Sequence, residues 1–168
     1  MGEQLGTREI PLSQGKVAIV DAADYEWLNQ WKWTAAIGKH TTYAYRAEQK
    51  DKCRKVYHMH RLIMQVSAPL HVDHINHNGI DNRRQNLRVA TGSENSRNQR
   101  AHRDSTSKYL GVFWDKARGM WRSEIAIGDN KRKFLGRFTS EIEAARAYDT
   151  AAREIHGAFA NPNFPRTA

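Results

Sequence analysis

His71 to Arg100 reads HVDHINHNGIDNRRQNLRVATGSENSRNQR, and the organisation of the whole chain follows from it. Leu70 to Ile75 alternates apolar and polar side chains, the pattern of a short half-buried strand. Asn76 to Asn86 is polar, contains Gly79 and several Asn and Asp residues, and predicts a loop. Leu87-Arg88-Val89-Ala90 is a second strand. Thr91-Gly92-Ser93-Glu94 has the form of a capping box, in which the Thr hydroxyl accepts from the Glu94 N–H and the Glu reaches back, so a helix starts there. Strand, loop, strand and helix in thirty residues are too little to bury a core unaided. Asp73 and His74 are adjacent at the end of the first strand, Asn86 closes the loop, and Asn95 falls in the first helical turn, from which it can return toward the carboxylate. Asp and Asn oxygens suit a hard cation such as magnesium or manganese. A neutral imidazole beside a metal-bound phosphate can take a proton from water, because its pKa lies near the working pH. The cation can polarise the phosphate and neutralise the leaving oxygen. The Asn86 amide can hold the imidazole, or the loop behind it.

From Tyr57 to Arg100, with MHRLIM upstream and ENSRNQ at the end, the sequence resembles the HNH nucleases, the ββα-metal group, in their phage-type homing form. Thirteen residues separate Asp73 from Asn86 and twenty-two separate it from Asn95, the spacings of that family. The resemblance implies Asp73 and Asn95 as ligands of one divalent ion, Mg2+ or Mn2+, His74 as general base and Asn86 as its supporting residue. It also implies phosphodiester hydrolysis that leaves a 3′ hydroxyl and a 5′ phosphate. Arg83, Arg84, Arg88, Arg97 and Asn98 of the same segment are candidate DNA contacts. His58, His60, His71 and His77 lie near the site in sequence. With Cys53 the only cysteine, a structural zinc is not expected. His60 is expected to pack and His77 to face solvent.

Upstream, residues 1–66 read as a small strand-rich unit. Glu9 to Leu12 and Lys16 to Val20 are strands around the turn Ser13-Gln14-Gly15. Asp21 is placed to cap a helix through Leu28. Trp31-Lys32-Trp33 and Tyr43-Ala44-Tyr45 read as strands separated by Gly38, and Val56 onward leads into a helix that Pro69 must follow. Trp27, Trp31 and Trp33 can be a base-stacking platform, but so close together in a small unit they are expected to form its core.

Downstream, residues 101–107 are polar and read as a linker. Tyr109 to Trp114, Met120 to Ile127 and Lys133 to Phe138 read as three strands, with turns at Arg118-Gly119 and Gly128-Asp129-Asn130. Ser140-Glu141-Ile142-Glu143 is a second capping box. Behind it Ile142, Ala145, Tyr148, Ala152 and Ile155 recur at helical spacing, and Gly157 stops the helix. Residues 108–165, through YLGVFWD, WRSEIAI, FLGRFTSEIEAARAYDTAA and GAFANPNFP, resemble the APETALA-type, ethylene-response-factor DNA-binding domain. That resemblance implies a three-stranded sheet laid in the major groove with one helix packed behind it. Alternation directs Trp121, Ser123, Ile125 and Ile127 to the helix and Arg122, Glu124 and Ala126 outward. Arg132 and Phe134 fall at groove-facing positions. Lys116, Arg118, Arg122, Glu124, Arg132 and Phe134 are the candidate contacts, and Arg137, Arg146 and Arg153 are expected to be solvated or packing charges. The plant proteins carry arginine where this chain has Phe113, Asp115 and Ala126, and the first hairpin has one extra residue, so their target sequence does not transfer.

Composition agrees. The 168 residues hold 27 Lys and Arg against 18 Asp and Glu, a net charge of +9. Residues 1–70, 71–110 and 111–168 each carry +3, so contact with nucleic acid should involve folded surfaces along the chain rather than a basic tail. Mean hydropathy is −0.80 and no apolar run approaches the ~18 residues of a membrane span. Sixteen aromatic residues argue against disorder. No secretory leader is visible, which points to the cytoplasm of a bacterium or phage-infected host. The expected architecture is α+β: a strand-rich unit at 1–66, a ββα-metal nuclease core at 67–100, a linker at 101–107 and a three-stranded antiparallel sheet on one helix at 108–165. The expected partner is double-stranded DNA, with no membrane and no small-molecule substrate, bound by a monomer or a dimer. The rival readings are a non-catalytic DNA-binding regulator, which has no need of the Asp73, His74, Asn86 and Asn95 set, and an RNA-directed protein.

Overall fold

The computed structural model describes residues 6–97, 105–128 and 131–164. The fold is mixed α+β and rich in short antiparallel sheets. It divides into two compact units, one ending at Gly92 and the other beginning at Ser93. No helix among the described residues is long and apolar enough to cross a membrane.

In the first unit, β1 (Thr7–Pro11) pairs antiparallel with β2 (Val17–Asp21), and α1 (Ala22–Asn29) follows at once. Asp21 stands at the N-cap, yet its carboxylate makes no cap bond; Oδ2 accepts the backbone N–H of Arg84 at 2.8 Å instead. The strand expected at Trp31 to Trp33 begins later. Trp33 is pulled into the core, where its indole N–H donates to the Leu28 carbonyl at 2.9 Å. Next come β3 (Thr34–Ile37), β4 (Thr42–Lys50) and β5 (Cys53–His58), an antiparallel meander in the order β3-β4-β5. After α2 (Met59–Met64), a hairpin of β6 (His71–His74) and β7 (Leu87–Ala90) leads into α3 (Gly92–Arg97).

Residues 1–66 and 67–100 do not form separate cores. Ile10, Val20, Leu28, Trp33, Met59 and Ile63 share one buried cluster with Val72 and Leu87 of the hairpin. A thirty-residue motif has too little apolar surface to stand alone, so the strand-rich segment supplies the floor on which it rests. The tryptophans belong to that floor: Trp27 and Trp31 pack against the cluster, with edge-on contacts at 6.0 Å between them and 6.3 Å from Trp31 to Trp33.

The second unit orders β8 (Val112–Asp115), β9 (Met120–Gly128) and β10 (Lys131–Phe138) as β10-β9-β8 and packs α4 (Glu141–His156) on one face. The buried stripe of α4 is Ala144, Ala145, Tyr148, Asp149, Ala151, Ala152 and His156. Ile142 and Ile155, expected on that stripe, are exposed. The alanines bring the helix backbone close to the sheet. The Tyr148 ring closes over Gly111, where an added Cβ would stand 2.2 Å from it, on a backbone with φ of +75°. Buried Asp149 accepts the backbone N–H groups of Asn163 and Phe164 at 2.7 and 2.9 Å and fastens the C-terminal segment. The capping box expected at Ser140 does not form: Ser140 makes no side-chain cap bond, and the first-turn Glu141 accepts from the Ser107 hydroxyl at 2.8 Å. Thr106 also accepts the Trp114 N–H at 2.9 Å, so the last residues of the expected linker belong to this unit. Residues 101–104 lie outside the described residues.

Candidate active site and nucleic-acid interface

The β6–β7 register sets Asp73 opposite Arg88 and His74 opposite Leu87. Asp73 is buried, and Arg88 donates Nε and Nη2 to its Oδ2 at 2.8 and 2.7 Å. His74, 5% exposed, sets Nε2 3.2 Å from Asn82 Oδ1. An amide oxygen only accepts, so Nε2 carries the proton and the basic lone pair lies on Nδ1.

The connection after His74 is held by its own amides. Asn86 Nδ2 donates to Asn76 Oδ1 at 3.0 Å and to the Asp81 carbonyl at 2.7 Å, and Asn86 Oδ1 accepts the Asn76 N–H at 3.0 Å. Of the two tasks the sequence allowed for Asn86, it performs the second, fixing the loop. The imidazole is held by Asn82, fully buried and not singled out by its sequence, since it is one of four asparagines between 76 and 86. Arg83 grips Asp81 through two bonds of 2.7 and 2.6 Å, and Arg84 grips Asp24 of α1 through bonds of 2.8 and 2.7 Å. Arg83, Arg84 and Arg88, read from sequence as DNA contacts, are thus engaged with carboxylates of their own chain.

Aromatic rings surround His74. His60 meets it edge-on at 5.0 Å, Tyr43 lies 5.7 Å from it and 5.6 Å from His60, and His58 stacks on His60 at 5.4 Å. Burial pushes the His74 imidazole below the ordinary histidine pKa, against the Asn82 hydrogen bond and the charges of Asp73 and Asp81. Burial, with His74, His58 and Arg61 adding to it, takes His60 down to about 3. Burial and then the Asp73 charge raise Tyr43. His60 packs as expected, and its Nδ1 has no hydrogen-bond partner among the described residues. His77 is half-buried rather than solvent-facing, on a backbone with φ of 61°. Tyr43 carries no sequence signal, because it reaches His74 from β4 only through tertiary packing, whereas His60, already near in sequence, reaches it from α2.

Asn95 and Arg97 lie half-buried in α3, past the division at Gly92, and Asn98 lies outside the described residues. Among the described residues no three His, Cys, Asp or Glu side chains converge as a metal cage. A carboxylate and an amide oxygen, the donors of the proposed set, fit a hard ion that completes its shell with phosphate and water.

In the second unit, Ser123 and Ile125 of β9 are buried while Arg122 and Ala126 are exposed, as alternation requires. Ile127 departs from it and is exposed. Lys131 pairs with Gly128 and Arg132 with Ala126, so Ile127 sits unpaired in a bulge and is turned out. A groove on the sheet is lined by Phe113, Trp114, Lys116, Arg118, Arg122, Glu124 and Arg132. Arg122 pairs with Glu124 and lies 5.7 Å from the exposed ring of Phe134; Arg132 lies 5.9 Å from Phe113. Arg137 joins this group, 3.1 Å from Asp115 and 5.0 Å from the Phe134 ring.

No protein-family model matches the chain. It is 28% identical over 152 residues to an uncharacterized HNH endonuclease of Acanthamoeba polyphaga mimivirus, covering 89% of this chain and 76% of that protein. It is 44% identical over 59 residues to the ethylene-responsive transcription factor WRI1 of Arabidopsis thaliana, 34% of this chain and 14% of that protein. A stretch of 90 residues, 54% of this chain, is 37% identical to Protein 3.8 of Escherichia phage T7 and spans 73% of it. On that identity and coverage, the chain belongs to the family of phage T7 Protein 3.8.

Proposed function

We propose that the chain is a metal-dependent HNH DNA endonuclease whose second unit binds duplex DNA. The observation that carries this reading is the pair at the end of β6: a buried carboxylate, Asp73, beside an imidazole, His74, whose tautomer Asn82 sets and which burial keeps neutral. The 28% identity to an HNH endonuclease supports it.

In this mechanism the Nδ1 lone pair of His74 takes a proton from water as the water oxygen attacks phosphorus. The bond from phosphorus to the 3′ oxygen breaks, leaving a 5′ phosphate, and the departing oxygen takes up a proton to become the 3′ hydroxyl. Asn82 stabilises the imidazolium by keeping its Nε2–H bonded. Asn86 and Asp81 hold the loop that carries Asn82. Asp73 would hold Mg2+ or Mn2+, which when bound supplies positive charge against the phosphate and the leaving oxygen.

One such site per chain cuts one strand, so a monomer nicks and a double-strand break takes two chains or two events. The role proposed for the pair of units is homing, in a bacterial or phage-infected cytoplasm. Supercoiled plasmid incubated with the protein and Mg2+ or Mn2+ tests the chemistry. Metal-dependent relaxed circles are expected, and plasmid that stays supercoiled with both ions overturns the reading. The likeness of 59 residues of the chain to an ethylene-responsive transcription factor favours the alternative of a regulator that binds without cutting, and the same assay separates the two.

A further inference from the structure

With Arg83, Arg84 and Arg88 tied to carboxylates, the cationic surface of the first unit lies elsewhere. β4 runs on past the core as a two-stranded ribbon with β5, and every residue from Ala47 to Val56 is exposed. Its tip, Lys50-Asp51-Lys52-Cys53-Arg54-Lys55, carries four cations and one acid. Lys50, Lys52 and Arg54 make no ion pair among the described residues, whereas Arg46, at the base, is spent on Glu48 and on the rings of Trp31 and Tyr57, 4.4 and 4.3 Å away.

The register shows what the ribbon's two faces do. Ala44 points into the core, so Arg46, Glu48, Lys50 and Lys55 share its side. Tyr43, Tyr45, Gln49 and Arg54 take the other side, with Val56 and His58 across from them. This second face begins at the ring of Tyr43, 5.7 Å from His74, and ends at Arg54 on the tip. It is a continuous track from the candidate base to the cations of the tip, which make no ion pair among the described residues. A two-stranded ribbon fits the ~12 Å major groove of B-DNA, and the five residues of β4 beyond Tyr45 reach roughly 16 Å at strand rise.

We propose that the β4–β5 ribbon is a DNA-gripping arm of the first unit: its tip enters a groove of duplex DNA and its Lys52 and Arg54 neutralise backbone phosphates, so that the strand crosses the track toward His74. The proposal rests on the reading of the first unit as a nuclease only for the direction of that track; the grip on duplex is tested without cleavage. In metal-free buffer, binding of the full chain to a fluorescent 30-base-pair duplex is followed at several salt concentrations, for wild type, Lys52→Ala/Arg54→Ala, and a control, Lys16→Ala/Lys32→Ala, that removes two exposed charges of the same unit outside the ribbon. The ribbon double variant should bind several-fold more weakly and show a slope of log K against log salt flatter by about two, near 0.9 for each lost phosphate contact, while the control keeps the wild-type slope. Thermal unfolding at the wild-type temperature certifies the fold, and single Lys52→Gln and Arg54→Gln variants, with one contact each, should give half the change. An unchanged slope in the ribbon variants, a control that flattens equally, or loss confined to duplex RNA overturns the arm. A wild-type protein that binds through the ribbon but leaves plasmid uncut overturns the nuclease reading alone.

Discussion

At the residue scale, the proposed reaction gives Asp73 and His74 different work, so their variants should fail differently. His74→Ala should lower nicking by ~10²–10⁴-fold, the usual contribution of a positioned proton acceptor, while duplex affinity in metal-free buffer stays put. Asn82→Ala leaves the imidazole in place but frees its Nε2, and should cost ~10–100-fold, as loss of a partner orienting a functional histidine does. Rates from single-turnover nicking check both. Asp73 is less simple, because it is no exposed strand-end ligand. It answers Arg88 in a buried pair. Asp73→Ala should therefore abolish nicking and also destabilise the first unit by about 3 kcal/mol, since it removes the carboxylate that answers a guanidinium mostly out of water. Asp73→Asn keeps the shape of the side chain, so it should lose the reaction with a smaller loss in urea unfolding. Persistent metal-dependent nicking by pure Asp73→Asn protein would remove Asp73 from the site. The adjacency of Asp73 and His74 and their spacing to Asn86 and Asn95 were legible in the sequence because these are one-dimensional facts. Asn82 and Tyr43 were not, and of His60 only its packing was, because what these residues touch depends on which strand and helix fold over the hairpin.

At the scale of elements, strands and helices were legible from alternation and spacing, and the errors have local causes. The Ile142 to Ile155 stripe lost to an alanine stripe because closeness to the sheet, and the seat of Tyr148 over Gly111, decided which side of α4 turned inward. Ile127 lost its place to a bulge in the β9–β10 ladder. Asp21, expected to cap α1, and Glu141 in the first turn of α4 both bond across elements instead of along their own helices. The loop after β6 offers a test of how closely an element can be seated. A Cβ at Gly79 would stand 2.5 Å from the Thr42 carbonyl oxygen and 2.7 Å from the Tyr43 ring. Gly79→Ala should force the loop off β4 at a cost of about 1–3 kcal/mol, the usual range for overpacking, and slow nicking by moving Asn82 with the loop. Thermal unfolding and the nicking rate read the two effects; unchanged values in both would show that the loop moves aside freely. On the sheet of the second unit, Arg122→Ala/Arg132→Ala should flatten the salt slope by about two if both arginines meet phosphate, or lower discrimination between base pairs by ~1–3 kcal/mol where one of them reads a base edge. Binding to target and scrambled duplexes at several salt concentrations distinguishes these.

At the scale of the molecule, the sequence already carried its basic character and the three-stranded sheet on one helix of the second unit. The single core beneath residues 1–92 was not legible, because Val72 and Leu87 look like ordinary strand residues until Ile10, Leu28 and Ile63 are set against them. That shared core ties stability to pH. His58, His60 and His74 sit together in it, and burial holds each imidazole below its ordinary pKa, His60 at about 3. In the unfolded chain each titrates near the usual 6.5. Between those values the unfolded state binds protons that the folded state refuses. The stability they contribute is therefore fully present above about pH 6.5 and is lost as pH falls, for His60 down to about 3. From pH 6 downward His60 should remove about 1.4 kcal/mol per pH unit, His74 adds to the loss in the same direction, and the half-exposed His58 adds least, because solvent screens it. Carboxylates titrate lower, so urea unfolding between pH 7.5 and 5, followed for wild type and His60→Phe, isolates the imidazoles. The wild-type midpoint should hold steady to about pH 6.5 and then fall steeply. His60→Phe keeps an aromatic ring against Tyr43 and His74 and should fall by one imidazole's share less. A midpoint that stays flat to pH 5 would mean that the rings around His74 accept protons in the folded protein, and that the neutral base on which the proposed reaction depends is not there.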